Sequence, residues 1–225
     1  MLKPSVSVVL CTYQGERFLR EQLDSIRQQS YPPSELIVQD DGSTDSTLAI
    51  LHAEQASAPY SMQVKQNPSR LGFAQNFALA LSQAQGEIIF FSDQDDVWEK
   101  EKISSMLNLF RADPSLQIAC SEASLMRSDG SPLPGLVLAG NGLGAEEREE
   151  WRIGNSFPWL LRKNPVPGMV LAIRRELRGK ILPLPEGWEH DYWILALSSA
   201  LSLRIAIEES PLVRYRQHHA QTIIP

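Results

Sequence analysis

The stretch FFSDQDDVW, Phe90 to Trp98, sets an oily run directly against three carboxylates, Asp93, Asp95 and Asp96. A buried strand has no use for clustered like charges. Carboxylates this close repel one another, so either one keeps its proton or a cation sits among them. In an extended segment, residues two apart face the same side, so Asp93 and Asp95 converge while Gln94 points away. Oxygen ligands suit Mg²⁺ or Mn²⁺, which keep waters and bridge to phosphate oxygens. Asp96 is expected to cap a helix starting near Glu99. The competing reading makes all three acids turn and cap residues, yet one cap needs only one carboxylate.

The segments before this cluster decide the fold class. Val6 to Cys11 is apolar and β-branched and reads as a fully buried strand. Phe18, Leu19, Gln22, Leu23 and Ile26 follow helical spacing, and Tyr31-Pro32-Pro33 stops that helix. Leu36 to Val38, Met62 to Lys65 and Glu87 to Phe91 read as further strands. Thr47 to Ala56 and Gly72 to Ala84 read as helices. This alternation predicts an α/β fold: a mostly parallel, Rossmann-like central sheet with helices on both faces. Ligands bind such sheets at the carboxyl ends of the strands. CTYQGE, QDDGSTD and SDQDD all fall there.

The second half is less regular. Ser128 to Gly144 is rich in Gly, Pro and Leu and is expected to be a long loop. Trp151 to Trp159 reads as a short helix and turn. Val166 to Ile173 and Leu203 to Ile207 read as strands, and Trp188 to Leu201 as a loop feeding a helix. With no repeat or linker, residues 1–225 are expected to form a single domain.

Composition narrows the function. The chain has 225 residues, 43% of them hydrophobic, which is enough for one sizeable core. Its net charge of -6 argues against a nucleic-acid partner, because phosphate backbones favour a basic face. Two distant cysteines, Cys11 and Cys120, make no metal or redox motif. No apolar run approaches the ~20 residues of a membrane helix. A cytoplasmic location is expected, with peripheral contact at the inner face of a membrane left open. Nothing sets the oligomeric state.

Taken in order, SVVLCTY, QDDGSTD, NPSRLGFAQN and FFSDQDDVW resemble the family 2 glycosyltransferases, which have a GT-A type fold. The match runs over about the first 100 residues. NPVPGMVLAIRREL, containing Gly168, resembles the family's acceptor-side strand. HDYW, His190 to Trp193, resembles the position of its catalytic acid group, and YRQH, Tyr215 to His218, a common terminal motif. The SDQDDVW form together with HDYW is similar to rhamnosyltransferase-like members.

The resemblance implies a division of labour. Residues 1–110 would bind the nucleotide sugar and residues 111–225 the acceptor. Thr12, Tyr13 and Glu16 would line the nucleotide pocket. Asp41, with Asp40, would contact the pyrimidine, and Arg70 the base or phosphates. Asp93 would contact the ribose or the metal, and Asp95 the metal, either Mn²⁺ or Mg²⁺. His218 would be a third metal ligand, and Asp191 the general base. Gly168, Trp188 and His190 would lie on the acceptor side.

The donor would be a UDP- or dTDP-sugar, with dTDP-rhamnose the first choice. The acceptor would be a glycan or a lipid-linked glycan of surface polysaccharide synthesis. Where many members carry Glu-Asp this chain has His190-Asp191, which leaves His190 between a functional and a structural role. The QxxRW signature of processive synthases is absent. Two other readings stay open: a non-catalytic sugar-nucleotide-binding or partner subunit, and a nucleotidyltransferase. A Rossmann dehydrogenase is excluded, because Thr12-Tyr13-Gln14-Gly15 stands where a GxGxxG turn would be.

Overall fold

The computed structural model describes residues 3–219. Its first half alternates as the apolar pattern predicts. Strand β1 (Val6–Thr12) is followed by α1 (Leu19–Arg27), β2 (Glu35–Asp40), α2 (Thr47–Gln55), β3 (Ser61–Gln66), α3 (Phe73–Gln83) and β4 (Ile88–Ser92). Every residue of β1, β2 and β4 is buried, as expected for strands covered on both faces. In α1, Leu19, Leu23 and Ile26 turn one stripe inward. In α3, Phe77, Ala80 and Leu81 do the same, packing on β1 and β2.

The two-residue β5 (Val97–Trp98) then leads to α4 (Lys102–Ala112) and the long β6 (Ile118–Arg127). After β7 (Pro132–Leu136) come the one-turn helix α5 (Val137–Gly140), α6 (Ala145–Arg152) and the one-turn α7 (Phe157–Leu160). A 3₁₀ turn over Gly168–Val170 opens β8 (Leu171–Arg174). The short α8 (Arg178–Ile181), α9 (His190–Ala200) and β9 (Ile205–Gln217) complete the described chain.

Among the described residues nine strands share one sheet, ordered β3-β2-β1-β4-β8-β6-β9-β5, with β7 paired to β6. The β3, β2, β1 and β4 block is parallel. Beyond it β8 runs antiparallel to both β4 and β6, while β9 runs parallel to β6. A continuous buried core draws on both halves of the chain. No helix is long and apolar enough to cross a membrane among the described residues.

Three expectations need correction. The expected loop 128–144 contains β7 and α5, with Val137 and Leu138 buried. The strand expected from Val166 begins only at Leu171, because Pro167 lacks the N–H a ladder needs and a 3₁₀ turn intervenes. The strand expected over 203–207 extends to Gln217 through an exposed, polar middle that hides its period.

One buried acid organises the irregular part. Glu122, wholly buried in β6, accepts the backbone N–H groups of Ala123 and Leu138, both at 2.8 Å, and pairs with Arg148. It thereby fastens α5 and α6 to the sheet. Glu122→Ala removes the acceptor of the buried Leu138 N–H and the carboxylate partner of Arg148, whose guanidinium keeps its Nε bond to the Leu143 carbonyl. The substitution is expected to cost about 3–5 kcal/mol in urea denaturation, with the loops after β1 and β2 unchanged.

Candidate functional site

Strand β1 lies between β2 and β4, so the carboxyl ends of all three meet at one edge. The loops there are zipped together. The Gln14 N–H donates to Ser43 Oγ (2.9 Å), the Gly15 N–H to Thr47 Oγ1 (2.8 Å) and the Glu16 N–H to Asp45 Oδ2 (3.1 Å). The Gln94 side chain grips Tyr13 by both backbone groups, at 2.9 Å each. A Cβ on Gly15 would fall 2.2 Å from Gln94 Oε1, so a larger residue there would push the Gln94 side chain off Tyr13.

The two acids of QDDG have different tasks. Asp40 is fully buried at the end of β2, opposite Thr12 and Gln66 in the ladder. Its carboxylate accepts Thr12 Oγ1 (2.8 Å), Ser43 Oγ (2.6 Å) and the Ser43 N–H (2.8 Å), which builds the turn. Asp41 instead lines the cavity and accepts Asn67 Nδ2 (2.8 Å) and the N–H groups of Leu71 (2.7 Å) and Gly72 (2.9 Å). It holds the NPSRLG loop in place, and that loop sets the Arg70 guanidinium 4.0 Å from the Tyr13 ring centre.

A cavity of about 1240 Å³ opens over these ends. Thr12, Tyr13, Asp41, Arg70, Asp93 and Asp95 face Gly168, His190 and Asp191 across it. Glu16 and Trp188 do not line it. The Glu16 carboxylate accepts the Ser46 N–H at 2.9 Å, and Trp188 packs edge-on against Tyr192 and Trp193. Asp40 sits behind the cavity wall. Asp96 does not cap α4: its Oδ1 accepts the Arg216 N–H at 3.0 Å.

The acids that share the cavity feel one another. Burial, then Asp95 and Asp191, push the Asp93 carboxyl up to about 8. Burial raises Asp191 to about 6, against hydrogen bonds from the Tyr192 and Gly168 backbones and the Asn164 side chain. His190 is buried with neither ring nitrogen hydrogen-bonded, stacked on Phe77 at 4.0 Å. A Cβ on Gly168 would lie 2.5 Å from His190 Nε2, so this glycine makes room for the ring.

Among the described residues no three His, Cys, Asp or Glu side chains form a ready-made metal cluster. His218 Nε2 instead contacts Asp95 Oδ2 at 2.8 Å, and His219 is exposed. The donor set nevertheless suits a hard divalent ion. Carboxylates of Asp93 and Asp95 with an adjacent imidazole are first-row metal ligands, and the repulsion that raises Asp93 is what a cation relieves.

Arg216, Gln94, Asn164 and Lys102 support this site and were not picked out in the sequence. Arg216 lies inside the quoted YRQH motif, two positions before His218, so that motif offered a signal. Lys102 offered none, because a lysine starting a helix ordinarily faces water.

The family model for glycosyl transferase family 2 matches residues 7–134. TuaG of Bacillus subtilis, a glycosyltransferase named for teichuronic acid biosynthesis, is 34% identical over 138 residues, covering 61% of this chain and 54% of its own. The dTDP-rhamnosyl transferase RfbG of Shigella flexneri is 36% identical over 103 residues, covering 44% of this chain and 36% of its own. The chain thus spans about half the length of the first of these relatives and about a third of the second. The mannosyltransferase PcManGT of Pyrobaculum calidifontis, solved with GDP-Man and Mn²⁺, superposes with a TM-score of 0.70 at 22% identity. That likeness covers 95% of this chain and 57% of the other, and it shows the GT-A type α/β fold.

The buried His190 leaves a signature in stability. Burial lowers its pKa to about 3, whereas an unfolded histidine titrates near 6.5. Between those values the unfolded chain binds the extra proton, so this residue makes stability fall as pH drops through that window. His190→Leu is expected to flatten the loss by up to about 1.4 kcal/mol per pH unit, read from denaturation midpoints between pH 4.5 and 7.5.

Proposed function

The chain belongs to glycosyl transferase family 2, and on that premise we propose that it moves a sugar from a nucleotide-diphospho-sugar to an acceptor hydroxyl with inversion at the anomeric carbon. The observation that carries this reading is the shared cavity: Asp93 and Asp95 enter it from the first half, and Asp191 faces them from the second.

In the proposed mechanism Tyr13, Asp41 and Arg70 form the nucleotide end. The Tyr13 ring and the Arg70 guanidinium offer flat surfaces for a base, and Asp41 has acceptor capacity for a pyrimidine N–H. Asp93, Asp95 and His218 would hold Mn²⁺ or Mg²⁺, whose charge would offset the negative charge developing on the departing diphosphate. Asp191 takes the acceptor proton as the new bond forms. Its pKa of about 6 leaves it ionised at neutral pH yet more basic than an ordinary carboxylate. Burial of the carboxylate and the wall formed by Gly168 and His190 keep solvent from competing for that proton.

The donor is proposed to be a UDP- or dTDP-sugar, with dTDP-rhamnose favoured by the likeness to RfbG. The acceptor is proposed to be a glycan or lipid-linked glycan, used in the cytoplasm at the inner face of the membrane.

Nucleotide release from a panel of sugar nucleotides with Mn²⁺ and candidate acceptors tests the reading. Absence of transfer from every donor would overturn it. Asp191→Asn is expected to lower kcat by roughly 10²–10⁴-fold while donor affinity changes no more than a few-fold. A protonated base cannot accept a proton, so wild-type kcat is expected to rise with pH to a plateau above about 6. Asp95→Ala is expected to abolish the Mn²⁺ dependence of nucleotide binding, read by thermal shift.

A further inference from the structure

Lys102 is the first residue of α4 and is completely buried. Its Nζ donates to the Met169 carbonyl at 2.7 Å and lies 4.6 Å from the Trp98 ring centre. A lysine is among the side chains least often fully buried, because taking an ammonium out of water is costly. Here burial pulls the amine's pKa down to about 7, against the nearby Asp96 and Asp93 carboxylates, and the Nζ is bonded to the 3₁₀ turn Gly168–Val170. That turn carries Gly168, whose missing side chain admits the ring of His190, the residue beside Asp191, and Gly168 and Asp191 line the same cavity.

We propose that Lys102 is a positioning residue for Asp191: by holding the Met169 carbonyl it fixes the 168–170 turn, and the close packing of Gly168 on the His190 ring sets where the start of α9 presents the Asp191 carboxylate. The inference rests on the function proposed above, and it adds a residue that acts without reaching any substrate. The link spans the two halves of the chain. The Lys102–Met169 hydrogen bond adds to the β4–β8 ladder in holding the 168–170 turn against the segment after β4. Geometry of this kind governs rate more than affinity, because a small misplacement of a reacting group slows the chemical step while leaving distant binding contacts intact.

Lys102→Met keeps the apolar stem and removes the donor. Lys102→Gln keeps a donor without the charge, and carries the test if the first variant does not fold. Two measurements apply. In hydrogen–deuterium exchange, peptides covering 164–170 and 189–193 are expected to exchange about tenfold faster in the variant, with those covering β1 to β3 unchanged. In kinetics, kcat is expected to fall on the order of 10²-fold with the donor dissociation constant within threefold. That loss is expected to vanish when Asp191 is already Asn, because residues acting through one another are not additive.

Unchanged exchange at 164–170 would overturn the proposal, as would an equal proportional loss in the Asp191→Asn background. A wild-type protein that transfers sugar from no donor removes the proposed reaction. The exchange result then still decides whether Lys102 holds the turn and the carboxylate together.

Discussion

A buried guanidinium keeps the acidic turn in place. Arg216, 1% exposed, donates its backbone N–H to Asp96 at 3.0 Å and its Nε to the Asp95 carbonyl at 2.7 Å. Its two remaining nitrogens reach the Ser128 carbonyl at 3.2 Å and Glu21 at 2.5 Å. A single side chain thus ties the segment after β4 to α1, to β9 and to the end of β6. Asp93, Asp95 and Asp96 repel one another in this desolvated corner, and the bonds to Arg216, with the nearby Lys102 amine and the His218 contact to Asp95, hold it together against that repulsion. The short β5 completes the tie by pairing Val97 with Arg214 and Trp98 with Val213.

The two halves are built by different physics. In the first, backbone ladders between fully buried strands set the frame, and short polar side chains lace the loops. Ser43, Thr47 and Asp45 receive N–H groups from the loop after β1, so both loops settle as one unit. In the second, single buried charges replace that lacing. Glu122 secures α5 and α6, and Lys102 secures the turn before β8. Such groups are costly to strand and specific in what they bond, so a few contacts shape this side where a ladder does not.

This contrast explains what could be read from the chain alone. β1, β2 and β4 were legible because strands buried on both faces are runs of Val, Ile, Leu and Phe. α1 and α3 were legible through their three- and four-residue spacing. β6 was not, since Ser121 and Glu122 interrupt its apolar run and the partners of Glu122, Leu138 and Arg148, lie far away in sequence. Within the site, the spacing of Asp93 and Asp95 and the later Asp191 marked three acids that the fold brings to one cavity. The pair Asp40-Asp41 could not be separated, because only the ladder shows that one points into the turn and the other into the open. Glu16 and Trp188 carried no mark of facing elsewhere. Lys102 and Arg216 act through burial, which a charged letter in a sequence conceals.

Ser92 closes β4 and Val97 opens β5, so residues 93–96 form a bridge clamped at both ends. The bridge bends at Gln94 and Asp95, so Asp93, Gln94 and Asp95 all reach the cavity, and Gln94 holds Tyr13 from there. One inserted residue would displace that grip, and one deletion would pull β5 off its partner. Changes of length can be absorbed in the connection between β6 and α6, but not here. Length can therefore vary in the cavity wall built by β7 and α5 far more freely than in the turn that carries Asp93 and Asp95.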